Sequence, residues 1–293
     1  MALSAHPLRQ RAEHLAASLP PLLVAADRVA STVAQGVPGR RRVGQAETFW
    51  QFRQYEFGDR PTTIDSRQSA KSDRVFVRET EWEAAQSVWL WRDLSPSMDW
   101  RSETDHPTKR ERADLLTLAL SALLMRGGEH VALLGLGARP ATGRSVLSRL
   151  AVHIERGDGP VEDVPPVLPL ARHGHVVFLS DFLTPLEAID AAVRGYAEAG
   201  LNGYLLQVLD PAEEVLPYGG RVRFEGLEGE EPWLLSRVES VRGDYVSRLA
   251  AQRAGLHDIA RAVGWAWSSH RTDQPPHAAL LMLYTALSAN LRR

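Results

Sequence analysis

Apolar and polar positions follow three successive rhythms along the chain. From Leu22 to Gln35, the residues Leu23, Ala26, Val29, Ala30 and Val33 recur at helical spacing. That spacing predicts an amphipathic helix, ended by Gly36 and Pro38-Gly39. An earlier helical piece is predicted before the break at Pro20-Pro21. Residues 40–80 lose this period. Arg40-Arg41-Arg42, the aromatic run Phe49-Trp50-Gln51-Phe52-Arg53-Gln54-Tyr55 and Gly58-Asp59 mix rings, charges and turn residues. Short strands and ordered loops are expected there, with Arg74–Trp82 alternating as a strand. From about residue 86 short apolar runs alternate with helical stretches. Strands are predicted at Ser87–Trp91, Val131–Leu136, His175–Leu179, Tyr204–Leu209 and Trp265–Ser269, with an edge strand at Arg221–Phe224. Helices are predicted over Arg110–Met125, Val146–Ile154, Leu186–Ala199, Tyr245–Val263 and His277–Leu291.

Short apolar strands that alternate with helices imply a mostly parallel sheet covered on both faces, with right-handed crossovers. The expected fold class is therefore α/β, doubly wound and Rossmann-type, with an N-terminal helical and short-strand extension. Residues 1–85 are read as that extension and residues 86–293 as the α/β domain. Trp89 with Trp91, and Trp265 with Trp267, fall on one strand face each by period two and read as core.

Composition narrows the function. The chain has 293 residues, 44% hydrophobic and 24% charged, which suits a folded soluble protein. Cysteine is absent, which excludes disulfides, thiol catalysis and cysteine-held metals. Lys+Arg total 34 against 36 Asp+Glu, so the basic excess of a nucleic-acid binder is missing. Arg40-Arg41-Arg42 reads as a solvated turn or as pairing with Glu47 or Asp59. No apolar run approaches the ~20 residues of a membrane-spanning helix, and the start lacks a charged segment followed by an apolar one. A soluble cytoplasmic protein is expected.

In an open parallel sheet, ligands bind at the carboxyl ends of the strands. After Ser87–Trp91 come Asp93, Ser95 and Ser97. After His175–Leu179 come Ser180 and Asp181. After Val131–Leu136 comes a glycine-containing loop with Thr142, and after Tyr204–Leu209 comes Asp210. In a tight loop leaving a strand, alternate residues share a side, so Asp93, Ser95 and Ser97 converge, and Asp181 from a neighbouring strand completes a negative site. All-oxygen donors suit a hard divalent cation, Mg2+ or alternatively Mn2+ or Ca2+. Rival chemistries lack their residues. A dehalogenase-like phosphatase needs a second carboxylate two residues after its aspartate, where this chain has Ser95. Gly135-Leu-Gly137 has no third glycine at dinucleotide-binding spacing. Gly-x-Ser-x-Gly is missing, and His173-x-His175 has no third ligand.

The run Val88-Trp-Leu-Trp-Arg-Asp93-Leu-Ser95-Pro-Ser97-Met98 resembles the metal-ion-dependent adhesion motif of von Willebrand factor A domains. The upstream run Arg53-Gln-Tyr55, Gly58-Asp59, Ile64-Asp65-Ser66-Arg67 and Ala70-Lys71 resembles the signature of the bacterial family called domain of unknown function 58. Two positions depart from that signature: Ser66 stands where a tryptophan is usual, and Lys71 where an arginine is. The resemblance implies a von Willebrand factor A-like domain whose metal ligands are Asp93, Ser95, Ser97 and Asp181. Thr142 is the nearest match to the middle threonine, since Thr117 falls inside a predicted helix. It also implies a non-enzymatic adaptor that engages an acidic residue of a partner through the metal, working with a MoxR-type AAA ATPase and a client complex. The alternatives are a metal-dependent phosphatase-like hydrolase and a scaffold with an unoccupied metal site.

Overall fold

The structure, a computed structural model, describes residues 21–36, 48–55, 64–71, 74–81, 85–227 and 231–290. In chain order these form α1 (Pro21–Gly36), β1 (Thr48–Gln54), α2 (Ser66–Ser69), β2 (Phe76–Glu81), β3 (Ser87–Arg92), α3 (Lys109–Arg126), β4 (His130–Leu133) and α4 (Arg144–Glu155). There follow β5 (His175–Ser180), α5 (Leu186–Glu198), β6 (Asn202–Leu209), α6 (Pro211–Val215), β7 (Val222–Phe224), β8 (Trp233–Leu235), α7 (Glu239–Ala262), β9 (Ala266–Arg271) and α8 (Pro276–Asn290). The chain divides into two units. Helix α1 groups with residues 86–293, and residues 37–85 form the other.

In the larger unit five strands make one parallel sheet in the order β4-β3-β5-β6-β9. The chain starts at β3, steps outward to β4, then returns across β3 to β5 and continues to the far edge. The direction of winding therefore reverses between β3 and β5. At such a switch point the loops leaving neighbouring strands diverge and open a crevice beyond the carboxyl ends. This is a Rossmann-like α/β fold, as the alternation of strands and helices predicts.

The sheet interior is an aromatic cluster. Phe178 of β5 lies between Trp91, Tyr196 and Trp265, with ring centroids 6.0, 5.5 and 5.8 Å away. Gly203 of β6 makes room for Trp265: a Cβ there would meet the indole at 2.2 Å. The indole nitrogen donates to the Leu201 carbonyl at 3.1 Å, so the ring is buried with its polar atom satisfied.

Helix α3 begins with a capping box. The Thr108 hydroxyl accepts from the Glu111 N–H, and the Glu111 carboxylate accepts from the Thr108 N–H. Leu116, Leu118, Leu120, Leu123 and Leu124 are all buried, on more than one side of the helix. The reason is that α3 touches the sheet and also α1 and α8. The apolar stripe of α1, with Leu23, Ala26, Ala30 and Val33 buried, thus finds its cover inside the α/β unit. Residues 37–85 form a segment of their own, set between α1 and β3 along the chain.

Three local expectations differ. β4 ends at Leu133, because Gly135 and Gly137 take positive φ (87° and 67°) and turn the chain back until Ala141 pairs antiparallel with Val131. β7 pairs with β8 in a separate two-stranded ribbon and leaves the main sheet without it. α7 starts at Glu239, ahead of Tyr245. In the smaller unit β1 and β2 pair antiparallel, with a register shift between Phe49 and Gln51. Asp65 caps α2 by accepting from the Gln68 N–H at 2.8 Å. The helical piece before Pro20, Arg40-Arg41-Arg42, Asp59 and Trp82 lie outside the described residues. Among the described residues no helix is long and apolar enough to cross a membrane.

Candidate functional site

The site lies where β3 and β5 end side by side. The Asp93 N–H donates to the Leu179 carbonyl at 2.9 Å, so the two strands stay paired one residue past β3. The Asp93 carboxylate is then held on both oxygens. Oδ1 accepts from the Ser95 N–H at 2.7 Å, and Oδ2 accepts from the Ser180 hydroxyl at 2.6 Å. Burial pushes the Asp93 carboxyl up to about 6; the Ser180 and Ser95 hydrogen bonds oppose that shift and the charge of Asp181 adds to it.

Pro96 opens a short 3-10 turn over Pro96–Asp99, anchored by the buried Met98. The serines on either side of Pro96 meet, Ser95 Oγ lying 3.0 Å from Ser97 Oγ. The Ser97 hydroxyl donates to Asp181 Oδ2 at 2.9 Å. Since that uses the Ser97 proton, the Ser95 hydroxyl is the donor of the pair. Asp181 is also fixed from behind: its Oδ1 accepts from the Leu183 N–H and its backbone carbonyl accepts from Gln207 Nε2. Asp93, Ser95, Ser97 and Asp181 therefore come together as the sequence predicts.

A lysine completes the arrangement. Lys109, the first residue of α3, is 1% exposed. Its ammonium donates to Asp181 Oδ2 at 2.8 Å and to Glu213 Oε1 at 2.5 Å. Burial works against the ammonium, but Asp181 and Glu213 outweigh it, and the lysine pKa lies above its ordinary value. Glu213 is set by α6, where it makes a capping box with Asp210. Asp210, the residue after β6, also accepts from the Ser102 N–H at 2.9 Å. Neighbouring side chains of the same α3 turn reach other loops. Arg110 donates to the Leu94 and Ser95 carbonyls and grips Asp99, while Arg112 donates to the Thr272 and Gln274 carbonyls. One helical turn thus ties together the loops after β3, β5 and β9.

Thr142 does not join the site. It is exposed and follows Ala141, which pairs with Val131, itself the register partner of Val88. Val88 precedes Asp93 by five residues, about 16 Å of strand. The glycine turn after β4 has carried Thr142 toward the opposite end of the sheet. Thr117 is buried within α3. His175 is buried with neither ring nitrogen partnered, burial lowers its pKa, and no metal site forms with His173. Among the described residues no three His, Cys, Asp or Glu side chains cluster to hold a metal.

Residues 51–255 match the family model described as protein of unknown function DUF58, more than half of the chain. The chain belongs to the DUF58 family. Relatives include uncharacterized protein Rv1480 of Mycobacterium tuberculosis and uncharacterized protein Mb1516 of Mycobacterium bovis, each 29% identical over 237 residues, covering 76% of this chain and 74% of theirs. Two solved structures are similar at 13% identity. BatB from Bacteroides thetaiotaomicron has a TM-score of 0.40 and covers 71% of this chain and 100% of its own. An aerotolerance-related membrane protein from Bacteroides fragilis has a TM-score of 0.39, covering 70% and 100%.

Asp93, Ser95, Ser97 and Asp181 of this DUF58 chain offer oxygen donors alone, the kind a hard cation takes. The 3.0 Å between Ser95 Oγ and Ser97 Oγ and the 2.9 Å between Ser97 Oγ and Asp181 Oδ2 are hydrogen-bond lengths that join these donors in one line. Sequence reasoning missed four participants. Ser180 reads as a helix cap or backbone partner, yet its hydroxyl fixes Asp93. Lys109, Arg110 and Glu213 read as the ordinary charged first turns of capped helices. Their roles depend on partners 72 or more positions away for Lys109, and a sequence pattern carries no such pairing.

Proposed function

We propose that this chain is a non-enzymatic protein-binding adaptor whose docking site is the strand-end cluster of Asp93, Ser95, Ser97 and Asp181. The observation that carries the reading is the continuous line of oxygens Ser95–Ser97–Asp181 at the strand ends, with Asp93 locked beside it by Ser180. Mg2+, or Mn2+ or Ca2+ in its place, would be held by the two serine hydroxyls and the two carboxylates. When bound it supplies a hard positive charge that an acidic residue of a partner can approach. The chain's own residues orient the donors: Ser180 and the Ser95 N–H aim Asp93, Pro96 sets the serines on one side, and Arg110 holds the loop by its carbonyls. A MoxR-type AAA ATPase, working in the cytoplasm on a client complex, is the proposed partner, on the family resemblance of the motifs at residues 53–71 and 88–98.

A dehalogenase-like hydrolase calls for a second carboxylate two residues after its aspartate, and this chain has Ser95 there. One observation favours a second reading, a scaffold whose site works without metal: the Lys109 ammonium already lies on Asp181. A capture experiment separates the two. Purified wild type is to retain a purified MoxR-type ATPase in Mg2+ and release it in EDTA, and Asp93→Ala is to fail in both buffers. Retention that ignores EDTA would favour the scaffold.

A further inference from the structure

The lysine at the site has no place in an all-oxygen metal motif, and its geometry gives it a task. Lys109 Nζ shares Asp181 Oδ2 with the Ser97 hydroxyl, the oxygen that ends the donor line. The ammonium has a second anchor, Glu213, on the side of α6. Glu213 is held independently of the lysine, since its other oxygen accepts from the Asp210 N–H at 2.9 Å and its carbonyl accepts from the Tyr245 hydroxyl. The lysine therefore stands between two carboxylates, one belonging to the candidate cation site and one outside it.

We propose that Lys109 is a built-in competitor for the cation: it neutralises Asp181 when the site is empty and withdraws to Glu213 when a divalent ion is bound. This rests on the metal reading above and adds its regulation. Two cations on one carboxylate oxygen repel, so ion binding and the Lys109–Asp181 contact exclude each other, and apparent affinity scales with the fraction of molecules in which Asp181 is released. Glu213 sets that fraction. With its charge present the ammonium has somewhere to go; without it the ammonium stays on Asp181. The site thereby binds divalent ions with an apparent affinity lowered by the fraction in which Lys109 holds Asp181, and anything that shifts α6 changes that affinity.

The test is a calorimetric titration of the full chain with MnCl2, with circular dichroism to verify folding. Lys109→Gln is to bind Mn2+ about tenfold or more tighter than wild type, and Glu213→Gln about tenfold weaker. Asp93→Ala is to lose the binding. The Glu213 variant keeps the test decisive if Lys109→Gln fails to fold. Mn2+ binding by wild type, lost in Asp93→Ala but unchanged or weaker in Lys109→Gln and unchanged in Glu213→Gln, would overturn the competition while leaving the metal site standing. No Mn2+ binding by wild type or by folded Lys109→Gln would overturn the metal reading, and the competition with it. Binding by Lys109→Gln alone would support the competition in its strongest form.

Discussion

Two buried layers meet along β5, and they are built on opposite principles. The middle of the strand carries Phe178 into an aromatic cluster with Trp91, Tyr196 and Trp265. Its end carries Ser180 and Asp181 into a polar layer with Asp93, Lys109 and Glu213. The first layer gains from any apolar atom that excludes water, and it tolerates exchange of one ring for another of similar volume. The second is stable only if particular atoms meet, since each buried charge or hydroxyl without its partner carries a desolvation cost. The aromatic layer therefore holds the sheet together. The polar layer fixes where the loops go, at some cost in stability, and holds charged groups in set positions at the strand ends.

Mutations sharpen that contrast. Phe178→Ala is to lose about 4 kcal/mol of unfolding free energy, by the same amount with and without Mg2+, in chemical denaturation. Lys109→Met leaves Asp181 and Glu213 buried without their cation and is to lose about 3 kcal/mol. On the proposed competition, Mg2+ restores part of that loss, which it does not do for Phe178→Ala. Equal Mg2+ responses of the two variants would erase the distinction between the layers.

The third prediction concerns pH. The Asp93 carboxyl titrates at about 6 in the folded chain against its ordinary 3.8. Between those values the folded state keeps a proton that the unfolded state has released, so stability falls as pH rises. Asp93→Asn lacks this titration. In metal-free buffer the stability of wild type relative to Asp93→Asn is to decrease by about 2 kcal/mol from pH 4 to pH 7, measured by denaturation at each pH. A constant difference would place Asp93 in a wetter setting than the structure gives it. The smallest effect is expected at Thr142: Thr142→Ala is to leave Mn2+ affinity and stability unchanged, because the residue is exposed and remote from Asp93.

How much of this was legible in the sequence follows the same division. The five strands, their alternation with helices and the inward tryptophans are written in hydrophobic period, which needs no knowledge of partners. The convergence of Asp93, Ser95, Ser97 and Asp181 was legible because an open sheet gathers the loops that leave its strand ends, where the sequence also places Ser180 and Asp210. Thr142 was misplaced because the turn at Gly135 and Gly137 reverses the chain before it, and an apolar run reads alike in a strand and in a turn. Lys109 was hidden for a deeper reason. A lysine at the first position of a capped helix is ordinary, and only the folded chain brings Asp181 and Glu213 to its ammonium. The place of α1 was likewise set by a face of α3 that the sequence shows as apolar without saying what covers it.

Crystals soaked in MnCl2 and recorded at the manganese absorption edge test most directly whether side chains from the ends of β3 and β5 enclose a place for a hard cation. An anomalous peak is expected within bonding distance of the Ser95 and Ser97 hydroxyls, with the Lys109 ammonium moved off Asp181. Manganese bound only elsewhere, with Lys109 still seated on Asp181, would contradict the metal reading.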